Sequence, residues 1–309
     1  MRYYYGAGHH GAYFEGWYLK HQGAEGELAV IPAVHQGKRG DGSASVQVIT
    51  GEGSRMFTFS KRSFEAWPDL FQVRVGNNWF SRDGVHLDLE DETLSLKGEL
   101  RYGPFSPLKT DLMGPFRFLP GLQCVHGVLS MGHRVDGILS LNGEIRLFSN
   151  GIGYIETDRG RSFPKMYLWT QCIWQERQKG SLMLSIAHIP LPVGGFTGCL
   201  CEIRFAGRPY RLATYLGVKI EHWSKKGALL RQGPLRLAVD LLAEETQPLC
   251  APTAGDMTRT IHESLCATVR YRFWEQDVLL FDHTDERAGY EYAKHERTSE
   301  KKTTTSGTA

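Results

Sequence analysis

The chain predicts an all-β fold, on three observations. Apolar residues alternate with period two along most of its length, hairpin-type punctuation separates the alternating runs, and no long segment sustains a helical repeat. In order, the runs are FEGWYLKHQ (residues 14–22), SVQVIT, RMFTFS, LFQVRVGNNWF, VHLDLEDETLSLKGELRYG, GILSLNGEIRLF and LMLSIAHI. Turn signals such as GNN, NG and AGRP lie within or after them. LRLAVDLLAEE is the best candidate for a helix, yet it reads equally as a strand and leaves the class unchanged.

The order of these runs repeats. WYLKHQ, IPAVH and RMFTF in the first half are echoed by YLWTQC, AHIPLP and RLATY in the second. In each half an aromatic strand containing Gln precedes an Ile-Pro corner, and an Arg-led aromatic strand follows. A duplicated strand-rich unit accounts for this and predicts two packed barrel or sandwich halves. The expected division is 1–120 for the first unit, 121–293 for the second and 294–309 for a polar, low-complexity tail without core formers. PFSPLKTDLMGPFRFLPGLQC holds four of the 13 prolines but many apolar residues, so it reads as an irregular connection packed across both units.

Composition narrows the function. The 309 residues include 36 basic and 34 acidic side chains for a net charge of +2, with the basic residues scattered, so no nucleic-acid partner is expected. The start, MRYYYGAGHHGAYFEGWY, lacks the apolar run of a signal peptide, and no later stretch is long and apolar enough to span a membrane as a helix. The six cysteines form no C-x-x-C pair, and free thiols in a reducing cytoplasm are the expectation.

Two stretches concentrate reactive residues. In FEGWYLK, Glu15, Trp17 and Leu19 share one strand face, while Phe14, Gly16, Tyr18 and Lys20 share the other. A carboxylate beside an indole and a leucine is either paired or held as a neutral acid. In GIGYIETDRGRSFPKMYLWTQCIW (residues 151–174), Glu156 and Asp158 share a face with Tyr154. Two carboxylates so close resist double ionisation, unless Arg159, Arg161 or Lys165 neutralises them. His126 in CVHGV and His133 in MGHRV are candidate hydrogen-bonding partners for a ligand hydroxyl. His9, His10, His21 and His35 show no ligand spacing, so no metal is expected. Phosphate-loop, dinucleotide-binding and serine-elbow motifs are absent.

FEGWYLK, QCVHGVLSMGH and NGIGYIETDRGRSFPKMYLWTQC together resemble the tocopherol cyclase family, with support from LATYLG and the closing YRFW, LLFD and YEYA segments. The resemblance runs from about residue 11 to residue 293. Phe14 to Tyr18 match one motif; Gly153, Tyr154, Glu156, Gly160, Phe163, Pro164, Trp169 and Gln171 match the other. Arg159 departs from it, standing where plant cyclases carry tryptophan. The resemblance implies two lipocalin-like β units and closure of a chromanol ring from a prenylated quinol, without a cofactor.

Such chemistry begins by protonating a trisubstituted alkene in a water-poor, aromatic pocket; an internal phenol, or water in a hydratase, then captures the tertiary cation. On this reading Asp158 is the leading proton donor, followed by Glu15, with Glu156 also a candidate. Trp17, Tyr18, Tyr154 and Trp169 would line the pocket, and His126 would hydrogen-bond a quinol hydroxyl. Gln171 and Lys20 would contact a carboxylate or the substrate. The expected partner is a small hydrophobic prenylquinol or isoprenoid, reached from a membrane surface. The alternatives are an isoprenoid alkene hydratase and a lipocalin-like carrier, and a carrier would leave all three carboxylates salt-bridged.

Overall fold

The computed structural model describes residues 2–119, 121–175, 178–190 and 194–294. Alternation produces strands almost throughout: β1 (Tyr13–Gly23), β2 (Gly26–Gln36), β3 (Gly42–Thr50), β4 (Ser54–Ser60), β5 (Phe64–Ala66), β6 (Gln72–Val75), β7 (Asn78–Ser81), β8 (Gly84–Glu90), β9 (Ser95–Tyr102), β10 (Cys124–Leu141) and β11 (Glu144–Gly160). They continue with β12 (Tyr167–Trp174), β13 (Gly180–Pro190), β14 (Gly195–Phe205), β15 (Arg208–Ala213), β16 (Lys219–Ser224), β17 (Gly227–Gln232), β18 (Leu235–Ala243), β19 (Gln247–Thr253), β20 (Asp256–Glu275) and β21 (Val278–Ala293). LRLAVDLLA is a strand, β18. No helix among the described residues is long and apolar enough to cross a membrane.

Two antiparallel sheets result. The first runs β4-β3-β2-β1-β11-β10-β9-β8-β7-β6-β5; the second runs β15-β14-β13-β12-β21-β20-β18-β17-β16, with β19 paired to β20. Their orders correspond: β1–β4 occupy the places of β12–β15, and β11 and β10 those of β21 and β20. The echoed segments therefore lie on topologically equivalent strands, consistent with two lipocalin-like units. The boundary differs from the 120/121 expectation. Strands β10 and β11 hydrogen-bond to β9 and β1 of the first sheet, so the sheets divide between Gly160 and Tyr167. Of the expected tail only Lys294 is described; residues 295–309 lie outside the described residues.

Each sheet curls around its own apolar core, the first containing Trp17, Leu19, Val46 and Phe80, the second Leu184, Ile203, Tyr271 and Tyr290. A third cluster, with Tyr18, Tyr154, Tyr167, Trp169, Leu249 and Ile261, joins the outer faces of the two. The central strands consequently bury both faces. β1 directs Trp17 and Leu19 into the first core and Tyr18 into the shared layer, which accounts for its unbroken burial.

Among the described residues of 103–123 there is no strand, only the 3₁₀ turn Gly114–Phe118. They cross between the units as expected: Met131 N–H donates to Ser106 on one side, while Arg211 donates to the Thr110 and Asp111 carbonyls on the other. All six cysteines are free.

Candidate functional site

A cavity of about 170 Å³ lies between the sheets. Its apolar wall includes Ile31, Leu200, Leu249 and Ile261 from the strands, and the crossing segment covers it with Met113, Phe116 and Leu122. Its polar lining includes His126 (β10), Glu156 and Asp158 (β11), Tyr167 and Trp169 (β12), Glu263 (β20) and Glu291 (β21). Tyr18 of β1 completes the aromatic lining.

On the first sheet, Asp158 and Glu156 are the i and i+2 partners on β11 that period two requires, and His126 stands directly opposite Asp158 on β10. The imidazole lies between them, hydrogen-bonded to Asp158 and facing Glu156. Its Nδ1 lies 2.9 Å from Asp158 Oδ1, and its Nε2 lies 3.5 Å from Glu156 Oε2. Burial would lower the His126 pKa, but Asp158 and Glu156 outweigh it and carry it up to about 9. Cys124 also donates its thiol to Asp158 Oδ1, at 3.2 Å, so both contacts use the same oxygen.

Glu156 is held differently. Tyr154 O–H donates to Oε2 at 2.6 Å and Trp169 Nε1–H at 3.1 Å; both donors are neutral. Burial pushes its carboxyl up to about 7, opposed by the His126 charge and assisted by Asp158. Trp169 reaches across because β21 offers Gly289 beneath it, where a Cβ would lie 2.9 Å from the indole.

On the second sheet, Glu263 and Glu291 are direct cross-strand partners. Each accepts a tyrosine hydroxyl: Tyr18 on Glu263 at 2.5 Å, and Tyr167 on Glu291. Burial raises both carboxyls, Glu263 to about 7, with Lys20 opposing and Glu156 assisting, and Glu291 well above the carboxylate range.

The predicted residues thus divide. Asp158, Glu156, His126, Tyr18 and Trp169 meet at the cavity. Tyr154 stands behind Glu156 as its donor and does not line the cavity.

Glu15 and Trp17 require correction, because they occupy the opposite face of β1. Glu15 is 1 % exposed and caps the N-terminal segment, accepting the Tyr5 and Gly6 N–H groups and the Tyr13 hydroxyl. Burial raises its carboxyl, while those donors and the Arg159 charge lower it. Arg159, opposite Glu15 on β11, places its guanidinium 3.7 Å from the Tyr5 ring centroid. The residue that departs from the motif therefore belongs to this seal. Trp17 packs in the first core against Tyr4 and Phe64.

Gln171 is fully buried with neither amide atom paired, and it does not line the cavity. Lys20 donates to the Leu265 and Arg287 carbonyls, tying the sheets together through the main chain rather than through an ion pair. His133 lies in the first unit against Tyr102 and Phe105, its Nδ1 on Ser130, away from the cavity. A Cβ on Gly153 would stand 2.3 Å from its Nε2, which explains the glycine in the NGIGYIE motif. Glu263, Glu291 and Tyr167 were not singled out from the sequence. The carboxylates carry the signal used for Glu15, since Glu263 shares its strand face with Ile261 and Leu265, and Glu291 with Gly289 and Ala293.

One donor atom each from His126, Glu156 and Asp158 fall within 4.8 Å of one another, close enough to hold a metal ion. The ring presents a different nitrogen to each carboxylate, an arrangement in which an imidazolium holds one negative charge between them.

No protein-family model matches the chain, and no curated protein matches it by sequence. Solved structures do. CghA, determined with Sch210972, superposes with a TM-score of 0.57 at 11% identity, covering 92% of this chain and 89% of its own. A protein provisionally named AttH from Nitrosomonas europaea gives 0.52 at 13% identity over 90% and 91% of the two chains. Kievitone hydratase from Nectria haematococca gives 0.50 at 11% identity over 92% and 90%. At such identities the likeness establishes the fold.

Proposed function

We propose that this protein is an enzyme that adds an oxygen nucleophile across a carbon–carbon double bond of a small, apolar isoprenoid-type substrate. The form favoured by the tocopherol cyclase-like motifs is ring closure of a prenylated quinol to a chromanol. The observation that carries the reading is the Asp158–His126–Glu156 chain at the edge of an apolar, aromatic cavity.

Glu156, rather than Asp158 or Glu15, is the proton donor. Its hydrogen-bond donors are neutral and burial raises its carboxyl to about 7 despite the nearby His126 charge, whereas Asp158 accepts from an imidazole and a thiol. The Glu156 proton goes to the less substituted alkene carbon, leaving a tertiary cation beside the Tyr18, Tyr167 and Trp169 rings. The phenol oxygen bonds to that cation, and its proton passes to Asp158 through the oxygen that His126 and Cys124 leave free. The proton on Asp158 then returns to Glu156 by exchange through water, with His126 staying an imidazolium throughout, so the cycle ends with no net proton change.

Hydration is the second reading, with water replacing the phenol; the fold shared with kievitone hydratase favours it. A carrier is the weaker reading because burial raises the Glu156 carboxyl to about 7 even beside the His126 imidazole.

The test is incubation of a prenylated hydroquinone in deuterated water, followed by mass spectrometry of the product. A carbon-bound deuterium in a chromanol or tertiary alcohol is expected, with turnover falling about 10²–10⁴-fold in Glu156→Gln. Ligand binding without deuterated product, or full activity in Glu156→Gln, rejects this assignment.

A further inference from the structure

We infer that Glu263 and Glu291 form a second recognition centre, a carboxyl pair that shares a proton and donates it as a hydrogen bond to a carbonyl oxygen of the ligand. It lies on the opposite sheet from the Asp158–His126–Glu156 chain, and the inference rests on the cavity being a ligand site as proposed above.

Four observations support it. The residues are direct partners across β20 and β21, on the face that lines the cavity. They are 2 % and 7 % exposed, and no Arg, Lys or His lies within ion-pair distance of either among the described residues. Each spends one oxygen, Oε1, on a tyrosine hydroxyl. The second oxygen of each has no protein partner among the described residues, although both residues border the cavity.

Two adjacent ionised carboxylates in an apolar layer, each hydrogen-bonded only to a phenol and without an ion-pair partner, are strongly unfavourable. Retaining one proton between them removes most of that cost. A shared proton also makes the pair a donor, whereas two carboxylates could only accept. The complementary group is thus a neutral oxygen acceptor such as a quinone or ketone carbonyl. Lys20 and Arg259 offset that cost only in part, since neither lies within ion-pair distance of the pair and the Lys20 ammonium donates to two main-chain carbonyls.

The test needs no turnover. Infrared difference spectra of wild type against Glu263→Gln/Glu291→Gln at pH 7.5 in deuterated water should show a protonated-carboxyl band belonging to the pair. A prenylated 1,4-benzoquinone should shift that band to lower frequency, while the matching prenylbenzene, which has no oxygen, should leave it in place. Tryptophan quenching should show the quinone binding about tenfold more weakly to Glu291→Leu than to wild type, with prenylbenzene unaffected. Absence of the band, an unmoved band or no quinone binding overturns the inference. A shifted band without deuterated product leaves the pair standing and rejects the addition chemistry. Deuterated product from a protein with an unmoved band does the reverse.

Discussion

Replacing Tyr154 by phenylalanine should move the titration of Glu156 upward without touching the cavity wall. Tyr154 is buried behind Glu156 and gives it the shorter of its two hydrogen bonds, 2.6 Å against 3.1 Å from Trp169. A hydrogen bond to an ionised group contributes about 1.5–3 kcal/mol. The same hydroxyl also binds the protonated carboxyl, though more weakly, so the difference between the two forms is about 1–2 kcal/mol. At 1.36 kcal/mol per pKa unit, the Glu156 carboxyl should titrate about one unit higher in Tyr154→Phe. Removing a hydroxyl from a packed ring leaves the backbone and the Trp169 bond in place. The assay is an infrared pH titration in which Glu156→Gln identifies the band. If the reaction assigned above holds, the alkaline limb of kcat should move by the same amount. An unchanged midpoint, or one displaced to lower pH, would refute the claim that the neutral donors tune this acid.

Three further outcomes are expected. Glu15→Ala should cost about 1–3 kcal/mol through the lost Tyr5, Gly6 and Tyr13 hydrogen bonds. It should expose the N-terminal segment to protease while sparing kcat, measurable by denaturant unfolding and limited proteolysis. Gly153→Ala should destabilise by about 1–3 kcal/mol because its methyl would meet the His133 ring. Calorimetry should show His133→Ala restoring much of that loss in the double variant. Finally, stability should respond to pH in two opposed ways. Burial lowers His21 to about 4 and His133 to about 3, so the unfolded chain takes up more protons and their contribution falls as pH drops below about 6.5. Glu156 and Glu263 are raised to about 7, so their contribution is greatest below about 4.5 and is lost as pH rises through 7. His133→Asn should therefore lose less stability than wild type as pH falls from 6.5 to 5, and Glu263→Gln less as pH rises from about 4.5 to 7.

Strand faces were legible in the sequence because period two is a local property. The opposition of Glu15, Trp17 and Leu19 to Gly16 and Tyr18, and the shared face of Tyr154, Glu156 and Asp158, follow directly from alternation. Which face of β1 meets the ligand was not legible, since both are buried and the sequence does not distinguish a core from a cavity wall. Glu15 and Trp17 were misplaced for that reason. His126 could be nominated as a histidine in an apolar strand, but its role depends on the β10–β11 register that sets it opposite Asp158. Glu263 and Glu291 lie in ordinary alternating strands, and only the β20–β21 pairing makes them neighbours. The 120/121 boundary failed because the crossing segment resembles a linker, whereas β1 and β9 are joined into one sheet only after the chain returns through β10 and β11.

Tyr18 reaches Glu263 across 245 positions of sequence, and Trp169 reaches back to Glu156 on the other sheet. The first sheet carries Asp158, His126 and Glu156, but Tyr167, Trp169, Glu263 and Glu291 come from the second, so neither half alone encloses the cavity. The water-poor surroundings of Glu156 arise only on docking, so an unfinished chain emerging from the ribosome lacks them. The connection after Gly160 is therefore a natural place to cut. Two fragments divided there would be separately silent, and their recombination could be followed by the return of a single bound fluorophore, making reassembly itself the reporter.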